Sequence, residues 1–241
     1  MPQDHFNRKY ITKKKISIKE FMEKLNIEVN DLKIKIFHFN FFQVNTYVLY
    51  DDTKEALIID PGNYVEKESQ QLKDFIESEG LTVKYIVNTH PHIDHIFGND
   101  YCRNHFSASL LQHQAGVPVY QDANQYLASF NIAPFVFPSA DRYVEVGDVI
   151  SFGHQQLKVL YTPGHCDGSI SLYDAKNRLV FTGDVLFEDS IGRTDLPTGN
   201  QELLLQSIQD HLFTLDNDVA VHAGHGDATT IGKEKLSNPY C

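Results

Sequence analysis

The chain has 241 residues, 41% of them hydrophobic, and a formal net charge of −11. That is enough apolar material for one domain with a real core, yet no apolar run approaches the roughly 18 residues a membrane-spanning helix needs. The first 35 residues hold 9 Lys/Arg and 5 Asp/Glu and the remainder 12 and 27, so the body lacks the cationic footprint that nucleic acid demands.

Residues 1–32 read as an N-terminal extension. Ile18, Phe21, Met22 and Leu25 follow i, i+3, i+4, i+7 spacing, which predicts a short amphipathic helix. It is too short to stand alone, so it either packs on the following domain or mediates contact between two copies in a homodimer. The Lys13-Lys14-Lys15 run is read as solvated surface. The stretch has no secretory apolar region, and it is too acidic and arginine-poor for a mitochondrial transit peptide. Cys102, Cys166 and Cys241 form an odd, scattered set. That argues against a disulfide framework and for a reducing compartment, so a cytoplasmic location is expected.

At Lys33 the texture changes, and residues 33–241 read as the main domain. KIKIFHF, TYVLYD and EALIID are short β-favouring runs, the third ended by Asp60-Pro61-Gly62. A helix with Leu72, Phe75 and Ile76 on one face is expected to stop at Gly80. The strand KYIVN then leads into NTHPHIDHIFG. Residues 118–143 predict a short strand and a helix, followed by SFNIAPFVFP. Its Phe130, Phe135 and Phe137 are read as core packing, with a pocket lid as the alternative. Strands are expected at 143–152, 155–162, 169–174 and 178–182, then a helix near 200–213 and a strand at 217–222. Strands then helix, twice over, suggests two packed sheets with helices outside.

Within six positions the histidine stretch places His90, His92, Asp94 and His95. Three later strands also run out into glycine-bearing turns that carry metal-type ligands. LKVLYTPGH delivers His165, LVFTGD delivers Asp184, and DVAVHAGHG delivers His225. A catalytic zinc takes about three protein ligands and leaves a position for water. Seven ligands with one carboxylate shared therefore suit two metals about 3.5–4 Å apart. The natural partition is His90, His92 and His165 on one metal and Asp94, His95 and His225 on the other, with Asp184 bridging. Nitrogen and oxygen ligands without thiolate suit zinc, and iron or manganese also fit.

The His90-x-His92-x-Asp94-His95 motif, with the TPGH, TGD and GHG turns, resembles the metallo-β-lactamase fold superfamily from about residue 33 onward. DVLFEDSIGRTDLPTG and DATTIG resemble its stand-alone hydrolases similar to glyoxalase II. The resemblance implies an α+β fold, an αββα sandwich of two mixed β-sheets flanked by helices with the site at one edge. It implies the same ligand partition and gives Asp60 the task of supporting the ligand loops. The implied activity is hydrolysis of a small ester or thioester, such as a hydroxyacyl-thioester of glutathione. A hydroxide bridging two divalent ions, most simply Zn2+, would attack the acyl carbon while Asp94 orients it. The expected partner is that small molecule, with no nucleic acid and no membrane.

The chain departs from glyoxalase II proper, lacking its C-terminal helical domain and carrying Gly226-Asp227 where that enzyme has a tyrosine. Ala223 replaces a usual proline. His222 is expected behind the site or at the surface, and Cys166 is not expected to ligate. Arg193 and Asp195 either meet an anionic substrate or fix their own loop. Glu188 and Asp189 are read as surface, and His38, His105, His113, His154 and His211 as unrelated to the site. The alternative activity is a mononuclear iron persulfide dioxygenase of the same fold, using His90, His165 and Asp184. A non-catalytic metal-binding scaffold is a third reading, which the intact ligand set disfavours.

Overall fold

The computed structural model describes residues 31–241, so the helix expected near residues 18–25 and the lysine run lie outside the described residues. The first sheet contains β1 (Lys33–Phe39), β2 (Val44–Tyr50), β3 (Glu55–Ile59), β4 (Thr82–Val87), β5 (Ser109–His113) and β6 (Arg142–Val144), in that spatial order. The second is built from β7 (Val149–Phe152), β8 (Gln155–Tyr161), β9 (Ile170–Asp174) and β10 (Leu179–Gly183). A small hairpin follows, β11 (Leu186–Phe187) with β12 (Ser190–Ile191). The second sheet is completed by β13 (Ala220–Ala223) and β14 (Thr229–Thr230), in the order β14-β13-β10-β9-β8-β7. Both sheets are mixed, with parallel pairs at β3–β4, β4–β5, β5–β6 and β10–β13.

Parallel neighbours need a crossover, usually a helix. Helix α1 (Glu66–Glu79) joins β3 to β4, while α2 (Ile93–Ile96) and α3 (Asn99–Phe106) lie between β4 and β5. Helices α4 (Val117–Gln121) and α5 (Ala123–Ser129) precede β6, α6 (Gln201–Ser207) precedes β13, and α7 (Ile231–Ser237) follows β14. Gly80 caps α1 in the left-handed conformation at φ 63°, where glycine avoids the Cβ penalty.

Alternation along the strands makes the layers. In β2, Tyr47 and Leu49 face the core between the sheets, with Leu57, Val87, Phe152, Val159 and Phe181. Val48 and Tyr50 point the other way, beneath Leu72 and Ile76 of α1. On the far side, Val180 and Val221 pack against Leu204 of α6 and Ile231 of α7. The result is the αββα sandwich expected. No helix among the described residues is long and apolar enough to cross a membrane.

Several expectations need correction. The strand read at 143–152 is two strands in different sheets, broken by a turn in which Gly147 has φ 88° and Glu145 N–H donates to Asp148 Oδ2. The short strand expected after residue 118 is instead α4, because Pro118 in its first turn favours helix initiation over the β tendency of its valines. Phe135 and Phe137 are half-buried and pack against the cluster of Phe97 and Tyr120, whereas Phe130 is 52% exposed.

Candidate metal centre

The ends of β4, β8, β10 and β13 meet at one edge of the sandwich. The turn after β4 carries His90 and His92, and α2 places Asp94 and His95 on its single turn. His165 follows β8, Asp184 follows β10, and His225 follows β13. His92 Nδ1 lies 2.8 Å from His165 Nε2, and His95 Nε2 lies 3.3 Å from His225 Nε2. The donor atoms of His90, His92 and His165 all lie within 4.8 Å of one another, as do those of Asp94, His95 and His225. Asp184 reaches both groups, at 3.7 Å from His165 Nε2 and 3.4 and 3.6 Å from the Nε2 atoms of His95 and His225. All seven residues singled out in the sequence are thus together, six in two groups of three and Asp184 between them. The centre is open on one side, where Asp94 is 13% and His225 26% exposed while His95 is fully covered.

The frame grips each of four imidazoles by one nitrogen and aims the other inward. His165 Nδ1–H donates to the carbonyl of Arg193 at 2.8 Å, and His225 Nδ1–H to that of Phe42 at 3.0 Å. Carbonyls only accept, so with Nδ1 as the donor the Nε2 of either ring carries the lone pair when the ring is neutral. His95 Nδ1 is held by Asp60 Oδ2 at 3.0 Å. The hydroxyl of Thr89 donates to Asp60 Oδ2 at 2.6 Å, so its oxygen is left to accept from His90 Nδ1 at 3.0 Å. Asp60 also accepts from Thr89 N–H at 2.7 Å. It therefore acts as the buttress of the His90 and His95 rings, although it forms a third close group with them. Such outer partners fix the tautomer and orientation of metal-binding histidines.

Close packing of the turns requires glycine at 224. A Cβ there would overlap Asp184 Oδ1 and sit 2.7 Å from His95 Cε1.

The donors fit divalent cations. His90 Nε2 and Asp184 Oδ1 are buried without a hydrogen-bond partner, an arrangement that is costly unless something satisfies them. Burial pushes His90 and His165 down and His92 to about 3, so these rings are neutral at pH 7, the form that ligates. Burial also opposes charge on His95, but Asp94, Asp184 and Asp60 outweigh it and hold that ring well above the usual histidine range. Burial would raise the Asp184 carboxyl, yet the surrounding imidazoles, His95 first, hold it far below its ordinary value. This much buried negative charge calls for a cation.

Residues outside the centre sort clearly. Burial pushes the Cys166 thiol up to about 12, and its Sγ faces Ser169 rather than the centre. His222 stacks on Phe181 and meets Tyr47 edge-on, outside all three donor groups. Arg193 and Asp195 pair through two bonds of 2.7 Å, so the guanidinium is engaged by its own loop. Glu188 and Asp189 pair with Lys233 at the surface. Sequence reasoning missed Thr89, although it sits inside the quoted motif, and missed the carbonyls of Phe42 and Arg193, which no side-chain pattern can reveal.

A four-layer sandwich with metal-type donors at the strand ends of one edge is the architecture of one broad class of metal-dependent enzymes. The family model for the metallo-beta-lactamase superfamily matches residues 39–225, and the chain belongs to that superfamily, whose members bind metals and are generally hydrolytic. It is 34% identical to the hydroxyacylglutathione hydrolase GloC of Haemophilus influenzae over 211 residues, covering 87% of this chain and 98% of that protein. Among solved structures, BLEG-1 B3 metallo-beta-lactamase matches with TM-score 0.75 and 36% identity, covering 86% of this chain and 99% of the other. A di-iron-bound form of TTHA1623 matches with TM-score 0.77 and 31% identity, covering 86% and 100%.

Proposed function

We propose that the chain is a metal-dependent hydrolase of a small ester or thioester, with a hydroxyacyl-thioester of the kind named for its Haemophilus relative as the reference substrate. The observation that carries this reading is the convergence of seven donors, two groups of three with Asp184 between them, in which His90 Nε2 and Asp184 Oδ1 are buried without a hydrogen bond. His90, His92 and His165 would hold one divalent cation, and Asp94, His95 and His225 a second, with Asp184 shared. Zinc suits this nitrogen and oxygen set, and the di-iron neighbour makes iron the rival. Such cations, when bound, supply Lewis acidity toward a carbonyl oxygen and bring the pKa of water to about 7.

The protein's own residues do the positioning. Asp94 lies on the open side, 3.2 Å from His225 Nε2. Burial opposes its charge, but His95 and His225 outweigh that and keep it ionised. It therefore accepts a hydrogen bond from the attacking water and turns a lone pair toward the acyl carbon. Asp60 and Thr89 keep the rings behind it from rotating. A one-iron oxygenase would draw on His90, His165 and Asp184 of the same set, so metal content separates the two readings where the ligands do not. Free, buried Cys102 and Cys166 are consistent with the proposed cytoplasmic setting.

The test combines metal analysis of the purified protein with assays on D-lactoylglutathione and on glutathione persulfide. Two metal equivalents and chelator-sensitive thioester cleavage are expected. A single iron with oxygen uptake on the persulfide, and no cleavage, would replace the hydrolase by the oxygenase.

A further inference from the structure

A cleft of about 390 Å³ adjoins the metal centre and shares His92 with it. Its floor is Pro91, His92 and Ile93. One wall comes from α4 and α5, with Val119 and Tyr126, and the facing wall from Leu196 and Pro197. We propose that this cleft is the acyl pocket of the centre and that it takes an uncharged, apolar acyl chain of medium length. The proposal rests on the hydrolase reading and names its substrate class.

Position is the first argument. His92 Nδ1 faces His165 across 2.8 Å while the residues on either side of His92 line the cleft. An acyl carbon brought to the centre therefore has this cleft beside it for its substituent. Size is the second. A cavity of this volume lies within the range of small-molecule sites, roughly 300–1,000 Å³, and a two- or three-carbon hydroxyacyl group would leave most of it unfilled.

Charge is the third. Among the described residues, no lysine or arginine lines the cleft, and its one carboxylate, the exposed Asp122, stands on the α5 side. Arg193, the nearest basic candidate in the sequence, is held by Asp195. A carboxylate entering here would find no basic side chain to pair with, only the neutral polar groups of Gln125, Ser129 and Thr198. The walls are also preformed. The Asn124 amide exchanges two bonds of 2.9 Å with the backbone of Phe135, and Tyr120 donates to the carbonyl of Pro138 at 2.8 Å. Opposite, Thr198 Oγ1 accepts from Asp167 N–H at 2.9 Å.

The experiment uses metal-loaded protein and N-acetylcysteamine thioesters bearing acetyl, butanoyl, hexanoyl, octanoyl and adipoyl groups. The kcat/KM is expected to rise about fourfold per methylene until the cleft is full, the factor that burial of one CH₂ supplies. Adipoyl should fall well below hexanoyl. Leu196→Asp should flatten the series and Val119→Phe shorten its optimum. In parallel, calorimetry with the non-cleavable thioether S-hexyl-N-acetylcysteamine should show binding that Leu196→Asp weakens by about tenfold or more. Hydrolysis with a flat chain-length profile would overturn the pocket assignment while leaving the hydrolase standing. Thioether binding without cleavage of any thioester, or of the matching ethyl esters, would keep the cleft as an apolar ligand site and remove the hydrolase reading together with its acyl role. Loss of both would remove both.

Discussion

Thr89 has one hydroxyl proton, and the Asp60 carboxylate 2.6 Å away takes it. Only the oxygen remains to hold His90 Nδ1, which fixes that ring's tautomer. Thr89→Val keeps the shape and removes the relay. Metal affinity is then expected to fall by about 10–100-fold, read by competition with a chromophoric chelator. Far-UV circular dichroism should stay unchanged, because both sheets pack elsewhere. An affinity equal to wild type would mean that packing alone orients His90. At this scale the ligand-type residues were legible, since each follows a β-favouring run and precedes or occupies a glycine turn. Their anchors were not. Two are backbone carbonyls, and Thr89 looks like any polar residue at a strand end.

Helix α1 begins where the loop beside His225 is tied down. Glu68 Oε2 accepts from the backbone N–H of Tyr64 at 2.7 Å and Val65 at 3.3 Å, and its Oε1 accepts from Asn40 N–H at 2.8 Å. One carboxylate thus satisfies the start of the helix and the β1–β2 turn, whose Phe42 carbonyl holds His225. Glu68→Gln places an amide N–H against a backbone donor and removes a charge favoured at a helix N-terminus. A loss of about 1–2 kcal/mol is expected, or about 2–8 °C in Tm for a domain of this size. A calorimetric scan measures it, and an unchanged Tm would rule out the tie. The long elements were readable because the pattern extends over several residues, as in α1 with Leu72 and Ile76 over the sheet. β11, β12 and β14 have two residues each, too few to express a period. β6 and β7 merged in the reading because their composition runs on through a four-residue turn. The turn at Gly147 and the sheet assignment separate them.

For the whole molecule, the cores that hold the sandwich lie between and outside the sheets, while the donors sit on its rim. Binding that favours the folded state adds about 4 kcal/mol at a thousandfold excess over Kd. Chelation should therefore lower Tm by about 10 °C and leave the circular dichroism of a folded protein. Wholesale unfolding would make the cations structural.

The two sheets are also fastened at the end of β2. Asp51 is fully buried. Its Oδ1 accepts from Thr53 N–H and Oγ–H, and its Oδ2 from His154 N–H at 2.7 Å and Gln155 Nε2 at 3.0 Å. His154 lies in the β7–β8 turn and Gln155 begins β8 of the other sheet, so one carboxylate bridges the layers. Burial pushes this carboxyl up, but the four hydrogen bonds outweigh it and hold the group below the ordinary carboxylate range. A depressed folded value means that the clamp contributes fully above the unfolded pKa of about 4. The contribution is then lost as pH falls through the lower folded value. Asp51→Asn, which turns an amide toward these donors, should cost about 1–3 kcal/mol at pH 7. The gap in urea midpoint between wild type and variant should narrow steadily below pH 4. A gap that stays constant down to pH 2.5 would show that the ionised form of Asp51 contributes nothing to holding the sheets together.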